Sequence, residues 1–439
     1  MSARILFVLA ALAVSSPLQA QWLGTLAIES GYDDNMFRNY SATEATLTDI
    51  SLMYGFFPND DNWAVNYSGA LSTFAQYPER LYSTHTLGAS WAMPYGAEEQ
   101  HSLTLMGAGN LRLDGADYEL YDYTQLIASA SLKQRFISDI PILASYRLRY
   151  RRYPNFGELS YLEHFASLGS SVFFETRTSI RVQADYGFKN YLQTSTMIVP
   201  TGGSGFAPSS TSGSLTVDGG GNGGGGNGGD GNGGGKGSPG ASGGTDGWGG
   251  GNGSGRMGMG DHSGMEGSVQ YLMYEEPSTS QLSAWINIGQ GLTESTGLSL
   301  RLLQRWNLTD RGRAFVGGAV DFIGEEELFD DPYSYESSEA SLILTQILGW
   351  GMKARIGGVY AMKTYAYPAS LDYTDLSAPT REDERFGGYL TLEKTLSGSW
   401  LLFNGLTISL NYVYLRNQSN TTYYDYRSNA LGLGVSTDF

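Results

Sequence analysis

The sequence predicts an all-β fold: a transmembrane antiparallel up-and-down barrel of about eighteen strands, within a range of fourteen to eighteen. Three observations predict it. The last strand alternates, with Leu431, Leu433 and Val435 on one face and Ala430, Gly432, Gly434 and Ser436 on the other, and it closes on Phe439. The composition combines 30 Tyr and 13% aromatic residues with a slightly negative mean hydropathy. A helical membrane protein would be far more apolar, whereas only half of each barrel strand faces lipid and Tyr gathers at the interfaces. The same alternation also returns along the chain, separated by short and long connections in turn. A soluble propeller or large sandwich is the weaker alternative.

Taken in order, residues 1–20 read as a secretory signal. Arg4 supplies the positive start, Ile5 to Val14 the apolar stretch, and Leu18-Gln19-Ala20 a cleavage site before Gln21. The barrel is then expected over 21–439. Residues 100–113 set Leu103, Leu105, Leu111 and Leu113 against Thr104, Asn110 and Arg112. Residues 121–136 set Leu126, Ala128 and Leu132 against Gln125, Ser129 and Lys133. Residues 179–189 set Ile180, Val182 and Tyr186 against Arg181, Gln183 and Asp185, and residues 402–416 repeat the pattern from Leu406 to Tyr414. Each stretch is long enough for a tilted strand to cross a bilayer. Short turns are expected at Pro58 to Asp61, Tyr95 to Glu99, Ser138-Asp139, Glu175-Thr176, Pro277-Ser278, Thr309 to Gly312, Gly349 to Gly351 and Ser397 to Ser399. Longer connections are expected near 33–43, 114–120, 192–265, 325–334 and 368–383. Short turns belong on the periplasmic side and long loops outside.

The connection at 192–265 is a Gly-rich insert. Residues 202–267 hold 31 of the 60 glycines and almost nothing apolar, so the segment is expected to be a disordered external loop. Gly225 to Asp230 matches the start of a calcium-binding nonapeptide. Asn232 stands where the apolar anchor belongs, and there is no second copy, so calcium binding is discounted.

The chain has no Cys, which excludes disulfides and thiolate chemistry, and only four His. No His and Ser, or His and carboxylate, spacing suits catalysis or a metal, so no enzyme activity, no cofactor and no metal are expected. The net charge of −17 argues against a nucleic-acid partner, and the acids cluster in loops and turns such as Asp33-Asp34, Asp60-Asp61 and Asp330-Asp331. The strands carry the bases instead. Arg147, Arg149 and Arg151 share one face, opposite Tyr146, Leu148 and Tyr150. An Arg facing lipid near the midplane costs about 2–4 kcal/mol, so the lumen is the expected address. Arg181, Arg301, Arg305, Lys353 and Arg355 fall on polar faces too, with Glu163 and Asp185 as lumenal acids. A basic lining would favour anions. The bland reading is that these bases pair with Glu163 or Asp185 and hold the wall together.

Glu29-Ser30-Gly31-Tyr32-Asp33-Asp34-Asn35 near the start resembles the opening of a broad group of Gram-negative outer-membrane β-barrels. Tyr412 to Asn420, Tyr426-Arg427-Ser428 and Phe439 resemble their close, and Leu433, Val435 and Phe439 resemble the signal by which the barrel assembly machinery recognises a terminal strand. The barrel domain of surface lipoprotein assembly modifiers shares these features, as well as Arg381-x-Asp383 entering a late strand. The helical repeats of that family are not seen here, since strand one follows the signal directly. The resemblance implies the outer membrane as location, with its lipid and lipopolysaccharide as surroundings. The resulting expectation is a porin-like channel passing small, anionic solutes. The alternatives are an export or assembly pore for a polysaccharide or surface protein, with a periplasmic or surface partner, and a plugged structural or adhesion barrel.

Overall fold

The computed structural model describes residues 20–36, 38–58, 62–137, 140–192, 270–272, 278–309, 314–316, 331–368, 379–396, 398 and 405–439. The expected signal over 1–20, apart from Ala20, and the Gly-rich insert over 192–265, apart from Leu192, lie outside these residues. The strands are β1 (Ala20–Asp33), β2 (Ala45–Pro58), β3 (Trp63–Phe74), β4 (Tyr82–Tyr95), β5 (His101–Asp114), β6 (Tyr123–Ile137), β7 (Ile140–Arg152), β8 (Tyr161–Phe174) and β9 (Thr178–Tyr191). They continue with β10 (Gln270–Leu272), β11 (Ser278–Gly291), β12 (Thr296–Asn307), β13 (Ala314–Val316), β14 (Tyr335–Ile347), β15 (Met352–Pro368), β16 (Thr380–Leu396), β17 (Leu406–Ser419) and β18 (Tyr426–Asp438).

Sixteen of these close a barrel in sequence order, and every neighbouring pair is antiparallel. The other two, β10 and β13, pair only with each other. Strand number lies in the middle of the expected range. Of the turns expected at Pro277-Ser278 and Thr309 to Gly312, Pro277 and 310–312 lie outside the described residues; Ser278 opens β11, and Leu308 bonds back to Ser280 at the long-loop end. The short β10 and β13 therefore sit in two long connections, where three residues cannot span a bilayer. The turn that was not foreseen is Leu292 to Ser295, between β11 and β12.

The barrel core is not packed as in a soluble domain. Leu126, Leu168, Ile356, Leu431 and Leu433 are each more than half exposed, all on the outer face. A continuous apolar exterior of this kind matches a lipid solvent. Trp22, Tyr54, Phe56 and Trp63 pack on one another near the short-turn end, with ring centroids 4.5–5.5 Å apart, as an interfacial aromatic girdle does. Sixteen strands at ~4.8 Å spacing and ~40° tilt give a backbone diameter of roughly 32 Å, too wide for wall side chains alone to fill.

All long connections leave at the end where β1 finishes. There the inner face is lined by tyrosines that open strands after a short 3₁₀ segment, among them Tyr82, Tyr123, Tyr161 and Tyr335. Each sits against a cation of the next strand, at 4.2 Å for Arg112, 4.4 Å for Arg151, 4.1 Å for Lys189 and 4.2 Å for Lys363.

The two ends of the chain meet along the β1–β18 seam. Phe439 and Gly24 exchange both backbone hydrogen bonds at 2.9 Å. Ser428 donates to Asp33 at 2.8 Å, the Asn429 amide to Asp34 at 2.6 Å, and the Asn35 side chain to the Arg427 carbonyl at 2.9 Å. The opening and closing motifs are thus the two sides of one closure. Arg381-x-Asp383 makes a second buried knot. Its guanidinium grips Asp383, lies over Tyr365 and Tyr424 at 3.9 and 3.3 Å, and is backed by Asn417 donating to Asp383 at 3.1 Å.

Candidate functional site

Because adjacent strands are in register, side chains two apart on neighbouring strands share the inner face. Arg147, Arg149 and Arg151 share that face on β7, away from exposed Tyr146 and Ile142. They are not an open ladder. Arg149 stands opposite Glu163 of β8, its Nε 3.3 Å from the carboxylate, and Arg147 reaches the same oxygen at 3.7 Å. Arg151 is buried in the rim, donating to Gln125 at 2.9 Å and to the Tyr153 hydroxyl at 3.1 Å.

Other bases are matched in the same way. Arg305 bonds the Tyr335 hydroxyl at 2.6 Å and lies 4.0 Å from Glu339. Lys353 pairs with Glu393, and Arg355 approaches that carboxylate at 3.7 Å. Among the described residues Asp185 meets no base: it accepts from Gln183 at 2.6 Å and from Ser283 at 3.4 Å.

Arg181 and Arg301 differ. Both are exposed on the inner face, and among the described residues no carboxylate lies within ion-pair distance of either. Asn287 of β11 separates them in register, pairing with Arg181 on one side and Arg301 on the other. The indole of Trp285, also on β11, lies close to both. The Arg181 guanidinium carbon is 5.1 Å from its centroid and that of Arg301 4.8 Å. Trp285 lies on the polar face of β11, among Ser283 and Asn287. The alternation of Leu282, Ala284, Ile286 and Ile288 would have placed it in the lumen from sequence. Arg147 continues the arrangement, 4.8 Å from the Phe165 centroid.

A clasp above this wall went unread in the sequence. Asp331, expected as a solvated loop acid, is buried and accepts from Lys189 at 2.7 Å and Tyr191 at 2.6 Å. Tyr333, two residues on, donates to Glu163 at 2.9 Å. Burial, then the charge and hydrogen bond of Glu163, push its hydroxyl far above the ordinary value of 10.0, so it remains a donor. An apolar groove of about 900 Å³ crosses the outer face over Ala184, Ala284 and Ala340, on the side turned to lipid. The terminal-strand residues Leu433 and Val435 face outward as well.

Residues 298–439 match the family described as surface lipoprotein assembly modifier. No curated protein matches the chain. Among solved structures, a bacterial polysaccharide outer-membrane secretin is 8% identical, with 95% of this chain and 97% of that one covered and a TM-score of 0.41. OccK11 (OpdR) of Pseudomonas aeruginosa is 12% identical, with 95% and 96% covered and a TM-score of 0.41. OpdK of Pseudomonas aeruginosa, determined with vanillate, is 10% identical, with 95% and 98% covered and a TM-score of 0.39. The closed barrel, its apolar exterior and the family match make this a β-barrel of the Gram-negative outer membrane.

Proposed function

We propose that the barrel is a passive channel for small anionic solutes. One observation carries this reading. Most inner-face bases are neutralised by a neighbouring carboxylate or built into the rim, yet Arg181 and Arg301 stand exposed without one among the described residues. Uncompensated guanidinium charge on a wide lumenal wall raises the local concentration of anions and lowers their barrier to entry. The roughly 32 Å diameter of a sixteen-strand wall leaves room for a path beside the clasp.

The alternative is an export or assembly pore with a periplasmic or surface partner. It draws on the match of residues 298–439 to a family whose name concerns surface lipoproteins. Single-channel conductance of the refolded chain in planar bilayers, with the reversal potential read in a salt gradient, separates the two. Steady conductance with anion preference supports the channel. Silence, or conductance without charge preference, sinks the anion-channel reading and favours the export pore.

A further inference from the structure

We infer that Arg181, Trp285 and Arg301 form a binding site for small dianions, in particular dicarboxylates, on the inner wall. The inference rests on the channel reading and names the solute class that the wall would select.

Three features carry it. First, two guanidinium groups from β9 and β12 flank one residue of the strand between them, β11. Their carbons lie at most about 10 Å apart, since each is within about 5 Å of the same ring centroid. Like charges this close repel, and among the described residues no carboxylate lies within ion-pair distance of either, in contrast to Arg147 and Arg149 with Glu163. A guest bearing two negative charges relieves both at once.

Second, Trp285 fixes the geometry. Stacking on an indole face holds a guanidinium while leaving its N–H edge available, and a carboxylate accepts two such N–H groups in a bidentate fork. The indole thus gives the two guanidinium groups one shared apolar support. The order lost on binding is therefore already spent in the free protein.

Third, the surrounding polar atoms are largely committed elsewhere. Gln183 accepts from Arg181 at 3.1 Å and donates to Asp185, and Asn287 accepts from Ser299 at 2.8 Å. Gln183 thereby orients the Arg181 fork and links it to Asp185, which itself lies beyond ion-pair distance of Arg181. One fork takes one carboxylate, so a monocarboxylate gains only half of the interaction.

The test compares succinate with acetate on the refolded full chain, by titration calorimetry in detergent and by block of single-channel current. Succinate should bind at least about tenfold more tightly than acetate, the value of one additional charged hydrogen-bonded contact. In R181Q/R301Q that preference should fall to about one, and W285L should lower succinate affinity several-fold with the charge unchanged. In R181K/R301K, charge without a planar fork should leave an intermediate preference. Equal affinities for the two acids in the wild type, or an unchanged succinate preference in R181Q/R301Q, would overturn the site. Anion-selective current in either case would leave the channel reading standing. Silent bilayers with a succinate preference that R181Q/R301Q abolishes would keep the site and overturn the channel.

Discussion

Glu163 sets how much of the basic wall remains uncompensated charge. It receives Arg147, Arg149 and the Tyr333 hydroxyl at one buried carboxylate. Replacing it by Gln leaves two guanidinium groups facing each other and weakens the clasp. Removing one partner from a buried pair costs about 3–5 kcal/mol, and the partial exposure of Arg147 and Arg149 brings the expected loss nearer 2 kcal/mol. Glu163→Gln should therefore lower the denaturant midpoint of the refolded barrel and shift its reversal potential further toward anions. An unchanged reversal potential would mean that Arg147 and Arg149 do not face the conducting path. Tyr333 adds a pH term of known sign. Its raised value means that its contribution is intact below the ordinary 10.0 and fades only as pH rises above it.

At the scale of elements, the clasp depends on an absence of side chain. A Cβ at Gly187 of β9 would overlap the Tyr333 hydroxyl, so glycine there lets the segment 331–334 lie against the inner wall. Gly187→Ala should destabilise by about 1–3 kcal/mol, the usual cost of overfilling a packed site. In a Tyr333→Ala background the same change should cost close to nothing. Equal costs in both backgrounds, measured by chemical denaturation, would place the clasp elsewhere. Further around the rim, the tyrosines that open β4, β6, β8 and β14 repeat one device, an aromatic face over the cation of the next strand. Each such contact contributes ~0.5–2 kcal/mol, and together they hold the 3₁₀ turns of the long-loop end folded against the wall.

For the whole molecule, closure is the decisive event, because an open sheet in lipid exposes unpaired backbone along both edges. Phe439 lies on that closure: its backbone bonds Gly24, and its ring occupies the space a Cβ at Gly24 would need. Phe439→Ala should leave a barrel that closes on refolding in detergent but reduce several-fold the folded form in cells, read as heat-modifiable gel mobility. Full recovery in cells would remove Phe439 from the assembly signal. Deleting Asp33-Asp34-Asn35 should instead impair closure in both settings, since these residues stitch β1 to β18 directly.

Alternation alone determined the barrel, the faces of the strands and the outer address of Leu431, Leu433 and Val435. A period of two is a local property that each strand carries in its own residues. The wide wall followed from counting those strands, and the count ran high only where Gln270–Leu272 and Ala314–Val316 pair outside the barrel. Tertiary structure decided which charges remain free. Whether an arginine meets a carboxylate depends on the register between strands, on Glu163 falling opposite Arg149 and Asn287 falling between Arg181 and Arg301. It depends also on a clasp that brings Tyr333 to a residue 170 positions earlier. No local pattern encodes such pairings, because they arise only when distant strands are brought side by side.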